Sequence, residues 1–300
     1  MRFLDSRAAL VLLPFAWLAV FFLVPVGIVV KIALSDAAIA RPPYAPRFDL
    51  SAGWDRFLSA FAQFDFENFV WLTEEPLYWK SYVSSIEIAT GATLFTAVLG
   101  YALAYAMTRA PRHWRATLVM LVILPFWTSF LIRVYAWIGI LKKEGLVNLL
   151  LMTIGVVDEP LTILNTNAAV YIGIVYSYLP FMVLPIYASL ERLDESLLEA
   201  AYDLGCTRLS AFWTVTLPLS VPGLVAGCLL VFIPAVGEFV IPDLLGGSNT
   251  LMIGKTLWVE FFSNRDWPVA SAVAIVALVL LVVPIVWLQK VQERQLGASS

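Results

Sequence analysis

Of 300 residues, 61% are hydrophobic and only 14% are charged, with a mean hydropathy of +0.85. Soluble globular chains are about 45–50% apolar and about 25% charged, so this composition excludes that class and places the chain in a membrane. A formal charge of −3 suggests no nucleic-acid partner, two cysteines exclude a disulfide framework in practice, and the single histidine, His113, has no second His or Cys beside it to hold a metal.

In chain order, the first apolar run, Ala8–Leu34, is longer than the core of a signal peptide and lacks a clean A-x-A cleavage site. It reads as an uncleaved span. Further spans are expected at Tyr82–Thr108, Thr117–Leu141, Ala168–Leu190, Ser220–Ile241 and Val269–Leu288. Each is long enough to cross a hydrocarbon core of about 30 Å, some with tilt. Six spans put both termini on one side. RAPRHWR (Arg109–Arg115) holds three arginines and no acid, which by the positive-inside rule makes it a cytoplasmic loop. Arg2, Arg7, Lys290 and Arg294 agree with cytoplasmic termini, whereas Lys142 and Lys143 fall outside, so orientation rests on density in short loops.

The outer loops are then Ser35–Ser81, Lys142–Asn167 and Pro242–Pro268, the first acidic and aromatic in FDFENFVWLTEEPLYWK. In the last, Leu251, Ile253, Leu257 and Trp258 suggest a short amphipathic helix at the interface. With no internal repeat or low-complexity tract, residues 1–300 read as one all-α membrane domain.

The cytoplasmic segment Glu191–Leu219 is too polar to span and too patterned to be loose. Ser196-Leu197-Leu198-Glu199 fits a capping box, so a helix is expected to start at Leu197 and to end at Gly205 in a left-handed conformation. Glu195, Glu199 and Asp203 would form an acidic stripe, and Leu197, Ala201 and Leu204 an apolar face. A second helix, Arg208–Thr216, would be closed by Pro218. On the residues alone, a plain connector in which Glu199 only caps its own helix accounts for the segment equally well.

Glu199-Ala200-Ala201, Gly205 and Leu217-Pro218 resemble the EAA signature of permease subunits of binding-protein-dependent ABC importers. PFWTSFLIRVYAWIGIL (Pro125–Leu141), IPAVGEFVIPDLLGG (Ile233–Gly247) and NRDWPVASAVAIV (Asn264–Val276) resemble the polyamine branch, particularly putrescine permeases. Ser84-Ser85 departs from the Asn-Ser of many relatives, which touches packing more than identity. The resemblance implies a type I ABC importer permease fold with six transmembrane helices, in the bacterial inner membrane and among its lipids. It implies that the loop 191–219 carries a coupling helix docked on a cytoplasmic ATPase through Glu199, Ala200, Ala201, Gly205 and Pro218. A homologous second permease, two ATPase copies and an extracytoplasmic polyamine-binding protein would complete the complex. No G-x-x-x-x-G-K-[ST] loop occurs, so a non-catalytic chain without cofactor is expected, with ATP and Mg on the partner.

Ionisable groups at membrane depth are costly and usually face a cavity or a partner. Glu87, Arg133 and Glu238 lie inside expected spans, and Asp243 at the outer end of the fifth. A helix broken at Pro242 would aim Glu238 and Asp243 toward one pathway. For the flexible dication that the resemblance implies, Trp127, Tyr135 and Tyr178, with Phe126, Trp137 and Tyr176 nearby, would offer aromatic faces. The bland alternatives are belt aromatics and a structural Glu238–Arg133 pair. For the whole chain the alternatives are the same machinery carrying another small cationic or polar solute, and an ion-gradient secondary transporter. The latter gives no reason for the loop.

Overall fold

The computed structural model describes residues 6–47 and 62–297. Arg2 lies outside them, as do the side chains of Arg7, Lys290 and Arg294. The helices are α1 (Ser6–Ala33), α2 (Glu67–Glu74), α3 (Pro76–Arg109), α4 (Arg112–Ile123), α5 (Phe130–Leu141), α6 (Leu146–Thr153), α7 (Asn167–Glu191), α8 (Glu195–Asp203), α9 (Arg208–Ala211), α10 (Leu217–Val236), α11 (Val240–Leu244), α12 (Ile253–Trp258) and α13 (Trp267–Gly297). β1 (Asp36–Ala37) and β2 (Tyr44–Ala45) pair as an antiparallel hairpin.

Among the described residues, four helical stretches are long and apolar enough to cross a membrane: Val11–Ala33, Pro76–Arg109, Asn167–Glu191 and Arg208–Val236. The third expected span, Thr117–Leu141, is not straight. Arg112–Trp127 and Phe130–Thr153 meet at 90°, and they supply a fifth crossing if the bent pair is one span. The cause is local. Pro125 opens a 3-10 turn, Leu124–Trp127, and Thr128 then leaves the helical region at φ −96°, ψ 152°. Both the N–H and the Oγ1 of Thr128 turn back onto the Pro125 carbonyl, at 3.2 and 2.8 Å, so the ladder cannot continue into Ser129. The last expected span begins at Trp267, and its apolar part, Trp267–Val283, is shorter than the others.

Contacts divide the chain into two compact units, 81–255 and a second made of 1–80 with 256–300. In the 81–255 unit, α3, α7 and α10 bury Ala104, Met107, Met182, Val183, Ile186 and Val231 in one apolar cluster. α10 approaches α7 closely through Gly223 and Gly227, the small-xxx-small spacing of packed membrane helices. A β-carbon on Gly223 would sit 2.5 Å from the Pro185 carbonyl oxygen and 2.5 Å from the Ser189 β-carbon. Gly223→Val is therefore expected to cost about 1–3 kcal/mol through overpacking, read as a lower thermal midpoint of the purified protein. An unchanged midpoint would mean that α10 stands off α7.

In the other unit, α1 packs along α13. Asn68 on α2 donates to the carbonyls of Ala33 and Ser35, at 3.0 and 2.8 Å, and so satisfies acceptors that the end of α1 leaves open. Glu260 is buried in the π-helical turn Val259–Asn264, where it accepts from Tyr78 (3.0 Å) and Asn264 (2.8 Å).

Candidate functional site

α10 ends at Val236, and the chain breaks over Gly237, Glu238 and Phe239 before α11 begins. The break precedes Pro242, which lies buried inside α11, so the expected interruption at Pro242 is misplaced by several residues. The chemistry of Glu238 explains the position. Its Oε1 accepts from the backbone N–H groups of Phe239, Val240 and Ile241, at 3.1, 3.0 and 3.4 Å. Those are donors with no partner inside the helix at an N-terminus, and a carboxylate there also opposes the helix dipole favourably. Its Oε2 accepts from the Tyr178 hydroxyl at 2.5 Å, and the side chain is only 7% exposed. Two of the expected pathway residues, Glu238 and Tyr178, thus meet directly.

The remaining candidates are placed differently. Asp243 is half exposed and pairs with Lys255 at 3.6 Å. Trp127 and Tyr135 are 78% and 57% exposed, turned away from the packing of their own chain. Glu87 is exposed on α3. Arg133 does not pair with Glu238: its guanidinium lies over the rings of Phe126 and Phe130, at 5.3 and 5.7 Å, and its Nε and Nη1 are buried without an acceptor. The structural ion pair considered from sequence is absent because three backbone N–H groups and Tyr178 already occupy the carboxylate.

Ser85, named from the sequence only for its packing, and Gly254, which the sequence did not single out, hold the break in place. Ser85, fully buried on α3, accepts from the Ile253 N–H at 2.7 Å and fixes the start of α12. Gly254 lies so close to the break that a β-carbon would stand 2.3 Å from the Gly237 oxygen and 2.7 Å from that of Glu238. The expected interfacial helix around Leu251–Trp258 is correspondingly no surface element at its start. Met252 and Ile253 are core residues, at 0% and 2% exposure. Ser85 left a signal, a serine pair at the head of an apolar span; Gly254 left none.

The loop before α10 is ordered by caps. Asp194, not Ser196, begins α8: its carboxylate accepts from the Ser196 N–H at 3.0 Å, which holds that carboxyl below its ordinary range. The helix starts at Glu195 because the aspartate two residues before Ser196 reaches the first free donor. Gly205 ends it at φ +84°, with the Cys206 N–H bonded to the Ala201 carbonyl and the Gly205 N–H to that of Tyr202. That is a Schellman closure, open to glycine at little cost.

The apolar face is not the expected one. Ala201 is buried, whereas Leu197 is 46% and Leu204 86% exposed, because Leu198 and Ala201 take the inward positions. Ala200 is exposed, and so is Glu199, whose side chain makes no hydrogen bond among the described residues. A capping role for Glu199 is therefore gone. Nor does Pro218 close the second helix. α9 runs through a π-helical turn, Phe212–Thr216, into α10, and Pro218 falls in the first turn of α10, where the wider ladder absorbs its missing N–H.

The fold is that of a type I ABC-importer permease. It covers 95% of this chain and 94% of a chain in the crystal structure of a bacterial ABC transporter involved in the import of the acidic polysaccharide alginate, with a TM-score of 0.69 at 17% identity. Residues 96–297 match the family described as binding-protein-dependent transport system inner membrane component, and the chain belongs to that family: it is a multi-pass permease subunit of an ABC importer. The spermidine/putrescine transport system permease protein PotB of Escherichia coli strain K12 is 44% identical over 218 residues, 73% of this chain and 79% of the relative. The PotB protein of Haemophilus influenzae is 45% identical over 206 residues, 69% and 72% of the two chains.

Proposed function

We propose that this chain translocates polyamines, putrescine or spermidine, across the bacterial inner membrane, crossing it six times with both termini in the cytoplasm. The similarity to two spermidine/putrescine permeases supports the substrate class. A second, homologous permease completes the pore, two ATPase copies bind ATP and Mg, and an extracytoplasmic binding protein delivers the polyamine. On the translocation route, Glu238 and Tyr178 form a fixed carboxylate–phenol pair. Glu87, Trp127 and Tyr135 present an acceptor and aromatic faces that their own chain leaves uncovered, and Asp243 stays half exposed beside Lys255. A diamine needs carboxylates at its ammonium ends and π faces between them.

One observation carries the coupling role: α8 is capped at both ends yet leaves Glu199, Leu204 and, just beyond, Leu209 to the outside. A rigid helix with exposed leucines is suited to a groove on a soluble subunit, and its displacement would move α7 and α10 as rigid bodies. Leu204 is 86% exposed, so Leu204→Asp should leave folding nearly unaffected while uptake falls at least about tenfold and the ATPase no longer co-purifies. Full uptake in that variant would refute the docking.

The substrate is tested by reconstituting the assembled transporter and measuring ATP hydrolysis with a binding protein loaded with putrescine, spermidine, or a non-amine solute. Stimulation by a polyamine alone supports the reading. Stimulation by another solute alone assigns the same machinery a different cargo, and uptake that survives loss of the ATPase would mark an ion-gradient carrier.

A further inference from the structure

The tip of the β1–β2 hairpin, the π-helical turn Val259–Asn264 and the start of α13 enclose a cavity of about 580 Å³. Arg41 and Arg265 stand on its wall, and neither side chain makes a hydrogen bond or ion pair among the described residues. The two carboxylates nearest to Arg265 in sequence hold hydrogen bonds elsewhere. Glu260 accepts from Tyr78 and Asn264, and Asp266 accepts from the Val269 N–H at the head of α13. A further guanidinium, that of Arg47, donates to the Pro42 carbonyl at 3.1 Å. Neither the Arg41 nor the Arg265 guanidinium is paired with a carboxylate among the described residues.

The floor is aromatic. Phe261 and Trp267 are stacked at 4.9 Å with their planes 6° apart, and Phe262 is 55% exposed. Arg265 projects from a backbone held in the left-handed region, at φ 54°, which side-chain-bearing residues seldom adopt. The cavity lies where α1 leaves its apolar run at Ala33 and α13 enters its own at Trp267, and the outward side chains of α1 from Val11 to Val24 are exposed. That is the depth of phosphate groups and aromatic belts in a bilayer.

We propose that this cavity binds the headgroup of an anionic phospholipid. The phosphodiester is held by the forked donors of Arg41 and Arg265, and the glycerol backbone rests on Phe261, Phe262 and Trp267. Guanidinium groups suit phosphate oxygens in geometry and are weakly hydrated, so they give up little on binding. A carboxylate from the extracytoplasmic binding protein is the competing anion. It offers no use for the aromatic floor at the membrane boundary, whereas a lipid does. The reading requires only that the chain spans a membrane, and it stands whether or not the cargo is a polyamine.

The test uses the assembled transporter in nanodiscs of pure phosphatidylcholine titrated with phosphatidylglycerol, with bound lipid measured by mass spectrometry. Wild type should retain phosphatidylglycerol and gain thermal stability as it is added. Arg41→Gln/Arg265→Gln should bind it about 30-fold more weakly, with an unchanged midpoint in pure phosphatidylcholine. Arg41→Lys/Arg265→Lys keeps the charge without the fork and should fall between, which separates lost binding from a folding defect. Equal phosphatidylglycerol retention in wild type and the glutamine variant would overturn the proposal. So would loss of binding-protein affinity in pure phosphatidylcholine with lipid retention intact, which would assign the cavity to an acidic protein segment. Inorganic phosphate that displaces no lipid but stabilises wild type equally would also count against a headgroup site.

Discussion

Glu238→Ala is expected to cost on the order of 4 kcal/mol or more and to abolish uptake, because it strands four donors at once. The backbone N–H groups of Phe239, Val240 and Ile241 lose their acceptor, and the Tyr178 hydroxyl is left facing the gap. Each buried group left unpaired costs about 1–3 kcal/mol, and the site has no exposed surface through which water would readily replace the carboxylate. The measurement is the thermal midpoint of the purified complex together with uptake in vesicles. Glu238→Gln separates two roles. One amide oxygen still reaches the three N–H groups, while the charge and the acceptor for Tyr178 are gone. If the carboxylate meets the cargo, this variant assembles with a midpoint near wild type and transports poorly. If Glu238 only pins the break, transport persists. A wild-type midpoint in Glu238→Ala would sink the pin itself.

Gly254→Ala is expected to be nearly as damaging, although it adds a single carbon. That carbon would meet three backbone atoms of the break: the Gly237 oxygen at 2.3 Å, the Glu238 oxygen at 2.7 Å and the Gly237 carbonyl carbon at 2.8 Å. A flexible side chain could turn away, but a backbone held by the Glu238 carboxylate cannot. Overpacking of this kind costs about 1–3 kcal/mol or more, read as reduced assembly and a lower thermal midpoint. Because both positions act on one segment, Gly254→Ala/Glu238→Ala should lose less than the sum of the single variants. Gly139→Ala is the control. No atom lies within 4 Å of a β-carbon there, and alanine favours the helix by about 1 kcal/mol, so its midpoint should not fall. Equal behaviour of the two alanine variants would show that the approach of Gly254 to the break carries no load.

Proximity in the chain governs what was legible beforehand. The apolar run Ala168–Leu190 became α7, Asn167–Glu191, and Ala8–Leu34 became α1, Ser6–Ala33. A run long enough to cross a bilayer must satisfy its own backbone, and a helix does so without neighbours. Gly205 was readable for the same reason, since a left-handed residue at a helix end is a property of one backbone position. The start of α8 was misread by two residues because Asp194 and Ser196 both suit a cap, and local pattern does not choose between them.

By itself the sequence determined that the chain is helical and membrane-embedded, that its loop 191–219 forms a capped helix ending at Gly205, and which few ionisable residues fall inside its apolar runs. Only the tertiary structure decided what those ionisable groups do. Glu238 could have faced Arg133, but the 90° bend after Pro125 and the break at Gly237 placed it on Tyr178 and on the first N–H groups of α11 instead. The choice turned on which donors a buried carboxylate meets once α3, α7, α10 and α12 are packed, and partners such as Ser85 and Gly254 stand far from one another in the chain. A hydrophobic run is a sum over neighbours in sequence, whereas the satisfaction of a buried charge depends on neighbours in space.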